Sequence, residues 1–169
     1  MNPLSTDFGI TDVNILVERM TDSMLASPAS VRLAQQAAEP PLIVVSRVKN
    51  ETDQHINTLA ITDTIRTKVL QSGLYRFTDK ESRGDVAEEV AYQQESGNVR
   101  GDTATERGRQ IGADYIVTGR LVSFEERVSK RVRKSYKFIL NLIDIETGII
   151  VWADEETLNK TNRTGLFGG

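Results

Sequence analysis

The side chains with the clearest capacity for chemistry are few. His55, the single histidine, stands two residues after Asp53, and a histidine beside a carboxylate could serve as a general base. A base needs a nucleophile and oxyanion donors converging on one spot, and no Gly-x-Ser-x-Gly elbow occurs in the chain. His55 therefore reads as a solvated loop residue. Carboxylates run together at Glu88-Glu89 and Asp154-Glu155-Glu156. Adjacent residues point to different faces of a helix or strand, which suits a charged surface better than a glycosidase pair set about 5–10 Å apart. Neither Gly-x-x-x-x-Gly-Lys nor Gly-x-Gly-x-x-Gly is present to cradle phosphate. Cysteine is absent, so thiol nucleophiles, disulfides and Cys-type metal sites are excluded, and one histidine cannot build a two-His zinc site.

One basic cluster stands out: Arg127, Lys130, Arg131, Arg133 and Lys134, interleaved with Val128 and Val132. It reads as the charged tip of a long hairpin, either simply solvated or facing an acidic protein or the wall polymer. No aromatic is interleaved in the run, so a stacking platform for nucleic acid is not indicated. Arg83-Gly84-Asp85 and Arg100-Gly101-Asp102 each read as a turn glycine followed by an Asp helix cap. The balance of 21 basic and 24 acidic residues, net −3, gives no global field favouring nucleic acid or an anionic membrane. With 169 residues, 38% apolar and 27% charged, the chain has ordinary globular composition and enough length for one core. Its longest apolar run, Ile149-Ile150-Val151-Trp152-Ala153, is far short of a membrane span. The first seven residues lack a basic and an apolar region, so the expectation is a cytosolic protein or a mature fragment after removal of a targeting segment.

The elements that must carry these groups follow from hydrophobic spacing. Residues 1–10 read as a flexible lead-in and 159–169 as a flexible tail, around a single domain over 11–158. Thr11-Asp12 offers an N-cap, and Val13, Leu16, Val17, Met20 and Met24 recur three and four apart, a helix with one buried stripe. Pro28 ends it, and a second helix is expected over 30–38. Pro40-Pro41 breaks the chain before the inner strand Leu42-Ile43-Val44-Val45. A polar loop over 49–55 follows. The next helix buries Ile61, Ile65, Val69 and Leu70, keeps Arg66 and several threonines outside, and stops at Gly73. Leu74-Tyr75-Arg76-Phe77 alternates as a short strand. Asp85 caps a helix through Val86 and Val90, and Asp102 or Thr103 caps another reaching Ile111. Strands are expected over 115–124, 136–145 and 149–158, with Gly148 supplying the positive φ of the last hairpin. The fold class is thus α/β of the α+β type: a mixed sheet of about four or five strands flanked by helices, ending in an antiparallel meander.

On the strand over 115–124, Tyr115, Val117 and Leu121 share one face and Ile116, Thr118, Arg120 and Val122 the other. The second face is polar in its middle, which suits a docking surface and a plain solvent face equally. Four runs together resemble the LpoB family of outer-membrane lipoproteins that activate penicillin-binding proteins: Arg47-Val48-Lys49-Asn50-Glu51-Thr52, Ile61-Thr62-Asp63-Thr64-Ile65-Arg66, Ile111-Gly112-Ala113-Asp114-Tyr115-Ile116-Val117-Thr118-Gly119 and Asp144-Ile145-Glu146-Thr147-Gly148-Ile149-Ile150-Val151-Trp152. The resemblance spans about Val13 to Glu156. It implies a periplasmic domain with no chemistry and no cofactor of its own, tethered to the outer membrane by a lipidated N-terminal cysteine. Its partner would be a bifunctional class A penicillin-binding protein, whose glycosyl transfer and transpeptidation it stimulates. The lipidated cysteine and a long Pro-rich spacer are not in this sequence. The expected partner-binding residues are Asn50, Glu51, Thr52, Asp53, His55, Arg66, Thr118 and Arg120, polar positions on elements that share one side. The segments Gly112-Ala113-Asp114-Tyr115 and Thr147-Gly148-Ile149-Ile150-Val151-Trp152 also resemble parts of related envelope domains, such as the periplasmic part of the curli secretion lipoprotein. An assembly- or secretion-associated lipoprotein is therefore the alternative.

Overall fold

In a computed structural model, described for residues 9–78 and 100–163, three long strands carry the architecture and two long helices cover one of their faces. Helix α1 (Ile10–Ala26) is capped by Gly9. Thr11 and Asp12, expected as caps, lie inside it, and Asp12 accepts the Gly9 N–H at 2.9 Å. Ser27 joins α1 to α2 (Pro28–Gln36): its hydroxyl donates to the Met24 carbonyl and accepts the Ser30 N–H. Pro28 thus opens the second helix as well as ending the first, because at the first helical position its missing N–H costs nothing.

Strand β1 (Ile43–Val45) and strand β2 (Lys49–Glu51) follow one another along a single edge of β3 (Tyr115–Val128), both parallel to it. Strands β4 (Arg131–Asp144) and β5 (Ile150–Arg163) complete the antiparallel meander, giving a mixed five-stranded sheet in the order β1-β3-β4-β5 with β2 beside β3. Lys49-Asn50-Glu51, expected as loop, is a strand because the backbone groups along that edge of β3 pair with it. Residues 74–77 form only one bridge, Leu42 with Arg76. The meander strands are 14 residues each and outrun their sequence signals. Their outer halves are polar, so ladder hydrogen bonds and not apolar alternation hold them together. β5 accordingly continues past Leu158 to Arg163.

Helix α3 (Thr58–Ser72) starts at Asn57, whose side chain accepts the Ala60 N–H at 3.1 Å, and stops at Gly73 with φ 73°. Gly148 likewise takes φ 74° in the last hairpin, a conformation with no steric cost for glycine alone. Two expectations for α3 are corrected. Leu70 is 57% exposed. Thr58 and Thr62 are buried, and the Thr62 hydroxyl donates to the Thr58 carbonyl while accepting the Val48 N–H. Helix α4 (Arg100–Gln110) begins ahead of Asp102 and Thr103, so Arg100-Gly101-Asp102 lies within a helix and does not cap one. The helix expected through Val86 and Val90, and Arg83-Gly84-Asp85, fall outside the described residues.

Leu16, Val17, Met20 and Met24 of α1 and Ile61, Ile65 and Val69 of α3 pack on Val117, Leu121, Phe138, Leu140 and Leu142 of the sheet. Each such side chain contributes about 1.5–3 kcal/mol on full burial. On the opposite face a small cluster of Val44, Ala113, Ile116 and Ile145 sits near the end of α4. The rest of that face, from Thr118 and Asn141 outward to Val128 and Arg131, is half-buried or exposed. Among the described residues the sheet is thus covered by helices on one side, except toward the hairpin tip where Glu125 and Arg127 are exposed, and half-buried or exposed over most of the other.

Candidate docking surface

The turn after β2 is built by its own side chains. Asn50 Oδ1 accepts the Thr52 N–H at 3.0 Å and the Thr52 hydroxyl at 2.6 Å, while its amide nitrogen donates to the Gln54 carbonyl at 2.8 Å. This is an Asx turn, in which a short amide side chain takes over backbone hydrogen bonding. Asp53 and Gln54 then latch the turn to the meander. Lys134 Nζ lies 2.7 Å and 2.9 Å from the two Asp53 carboxylate oxygens. Tyr136 donates its hydroxyl to Gln54 Oε1 at 2.9 Å, and the Asp53 N–H donates to Ser123 Oγ at 3.3 Å.

Lys134 was expected at the hairpin tip. It lies instead on the covered face, its side chain 7% exposed and 5.7 Å from the Tyr136 ring centre. Burial alone would push its ammonium down, but Asp53 and Tyr136 outweigh that and hold it above 10.5. The hydrogen bond from Lys134 in turn holds Asp53 below 3.8. Both partners are charged across the intervening range, and the latch is an ion pair throughout it.

On the open face, Arg120 Nη1 reaches Glu51 Oε2 at 3.2 Å, and Lys49 lies 3.8 Å from the same carboxylate group. Thr118 stands two residues along β3 on that face, opposite Asn141. His55 is exposed just past the latched turn. The structure thus brings Glu51, Thr118 and Arg120 together on the sheet and sets Asn50, Thr52, Asp53 and His55 in the adjoining turn. Arg66 stands apart. It belongs to α3, pairs with Asp63 at 2.8 Å and reaches toward the Val45 carbonyl at 3.5 Å. Sequence reasoning missed Tyr136, Ser123 and Gln54 and placed Lys134 at the solvated tip. A signal existed: Lys134, Tyr136, Phe138, Leu140 and Leu142 follow a strict period of two, which puts the lysine on the buried side.

At the other end of the sheet a groove of about 570 Å³ runs between the α2–β1 link and the α4–β3 corner, past Pro40, Arg76, Arg109, Tyr115 and Asp144. Burial first, and then the Asp144 and Asp114 carboxylates, push the Tyr115 hydroxyl above 10.0. Arg76 pairs there with Glu39 and Arg109 with Glu106. Among the described residues no three His, Asp or Glu side chains are grouped to hold a metal ion.

The family model of the peptidoglycan-synthase activator LpoB matches residues 12–158. The chain belongs to the LpoB family. The fold agrees. The LpoB C-terminal domain of Escherichia coli superposes with a TM-score of 0.58 at 20% identity, covering 87% of this chain and 98% of that one. The Salmonella enterica domain gives 0.58 at 19%, with the same coverage. The lipoprotein GNA1162 of Neisseria meningitidis gives 0.50 at 17%, over 72% of this chain and 84% of that one. A sequence search against curated proteins gives no match. The LpoB family is one of activators, not of catalysts, and the matched segment runs from the first turn of α1 to the polar half of β5.

Proposed function

We propose that this domain binds a bifunctional class A penicillin-binding protein and stimulates its glycosyl transfer and transpeptidation. In this reading the chain works in the periplasm as a single regulatory domain. An N-terminal lipid, on a cysteine outside this sequence, holds it at the outer membrane. The observation that carries the proposal is the match of the LpoB family model over residues 12–158.

The docking surface is assigned to the latched turn and the adjoining open sheet: His55, Glu51, Thr118 and Arg120 offer contacts, while Asn50, Thr52 and Asp53 fix the turn that presents them. A turn already held in one conformation spares a partner the cost of ordering it, which amounts to about 1–2 kcal/mol per residue. Arg66, on α3, lies outside this surface.

The test is capture of the domain by purified class A synthases, followed by lipid II polymerisation with and without it. Binding with faster polymerisation is expected. Reversal at Arg120→Glu is expected to weaken capture about tenfold or more, as for a central interface residue. Saturating domain with neither binding nor a change in rate would overturn the proposal. Unchanged capture by the Arg120→Glu variant would move the docking face elsewhere.

A further inference from the structure

Strand pairing gathers onto one face groups that the sequence scatters over β3 and β4. Phe124 stands opposite Ser135, Glu126 opposite Arg133 and Val128 opposite Arg131. All six side chains point away from the helical layer, because the pleat alternates and the buried partners Phe138 and Leu140 lie on the other side. Phe124 is 56% and Val128 59% exposed. Lys137 reaches over Phe124, its ammonium 6.0 Å from the ring centre. Among the described residues neither Arg131 nor Arg133 forms an ion pair, although Glu126 faces Arg133 across the ladder.

Charge singles out the same region. Residues 122–138 hold six cations (Arg127, Lys130, Arg131, Arg133, Lys134 and Lys137) and two carboxylates (Glu125 and Glu126), a net +4 in a chain of −3, so the rest carries −7. Asp53 neutralises Lys134, and Arg127 pairs with Glu125 on the opposite face. The unpaired guanidinium groups therefore flank the exposed apolar pair. Solvation explains exposed arginine, but it does not explain Phe124 and Val128 beside it. Aromatic groups and arginine together are the composition of interface centres.

We propose that this outer face of the β3–β4 hairpin docks an extended acidic segment of a protein partner. Arg131 and Arg133 lie two residues apart on one strand, roughly 6.7 Å in projection, which is also the spacing of alternate side chains on an extended partner. Carboxylates at alternate positions meet the two guanidinium groups, whose planar forks suit bidentate pairing. An apolar side chain of the partner then covers Phe124 and Val128. A polyphosphate fits less well because it has no apolar group to cover Phe124 and Val128, and single-stranded nucleic acid because Phe124 is a lone aromatic without successive stacking platforms. The face lies beyond the latched turn and does not depend on the synthase reading.

The probe is a labelled ten-residue peptide of alternating glutamate and threonine with one central leucine, titrated with the whole chain at low salt and read by fluorescence anisotropy. Saturable binding is expected, weakened more than tenfold by the double substitution Arg131→Glu, Arg133→Glu. Phe124→Ala should weaken it about fivefold, with recovery in Phe124→Leu. Arg127→Glu should leave it within twofold, since that residue faces the other way. Circular dichroism of each variant separates loss of binding from loss of fold. The proposal is overturned if the peptide fails to bind or if the double reversal binds as tightly as the parent. It is equally overturned if Arg127→Glu weakens binding as much as the double reversal, or if vesicles with anionic headgroups or sonicated wall glycan bind where the peptide does not.

Discussion

Arg133 and Lys134 are consecutive cations on β4 with opposite surroundings. The first is exposed on the open face, and the second is almost wholly buried on the covered one, clamped by Asp53 and flanked by Tyr136. Nothing in residue type separates them. The pleat does, by sending successive side chains to opposite faces, so one strand contributes to a structural latch on one side and to a candidate contact surface on the other. The difference teaches that a basic run in a strand is two half-density patterns, each to be judged against its own face.

Substitutions at consecutive positions test this contrast directly. Phe138→Ala, at a fully buried position, is expected to destabilise by about 3–5 kcal/mol, whereas Ile139→Ala next to it should cost under about 1.5 kcal/mol. Urea unfolding reads both, and equal costs would mean that the open face is covered in solution. Lys134→Ala should come next, at roughly 1–2 kcal/mol. The lysine is buried, but Asp53 is more than half exposed, and solvent screens the pair. Hydrogen exchange in 52–54 should rise in this variant while the helices keep their protection; protected turn amides would show that Lys134 is not the latch.

Acid and base should open the same latch at opposite ends of the pH scale. Asp53 lies below 3.8 in the fold, so its contribution is present above that value and is lost as pH falls through the depressed one. Lys134 lies above 10.5, so its contribution is present below that value and is lost as pH rises through the raised one. The Asp53 carboxyl-carbon shift should move only below 3.8 and the Lys134 side-chain nitrogen shift only above 10.5; either moving on the other side of its value would contradict the ion pair. The smallest effect is expected at the hairpin tip. Ser129 holds φ 58°, a conformation costing a non-glycine residue about 1 kcal/mol, so Ser129→Gly should raise stability by a few tenths of a kcal/mol up to that figure.

The α1 stripe, the inner strand, the Gly73 stop and the Gly148 hairpin are all legible in the sequence because each rests on local chemistry: periodic burial or a required positive φ. β2 is not legible. Lys49-Asn50-Glu51 has no apolar residue, and its strand character comes wholly from pairing with Arg120–Val122, some seventy residues on. The buried Thr58 and Thr62 mislead for a related reason, since Thr62 serves the Val48 N–H, a partner that only the tertiary fold supplies. At the candidate site, the polar turn and the open half of β3 could be picked out, but the Asp53–Lys134 contact joins residues 81 apart and leaves no local trace. Arg66 shares only their polarity, and the helix it sits on carries it to the other layer.

The arrangement of β1 and β2 on one edge of β3 has a consequence for how the chain acquires its shape. The meander closes through two hairpins between sequence neighbours, whereas Ile43 must find Tyr115 across 72 residues. Loop closure over that distance is slow relative to hairpin formation, so the three long strands can assemble before the edge strands arrive. During synthesis the order of appearance is reversed. α1, α2, β1, β2 and α3 all precede in the chain the long strands whose face α1 and α3 cover.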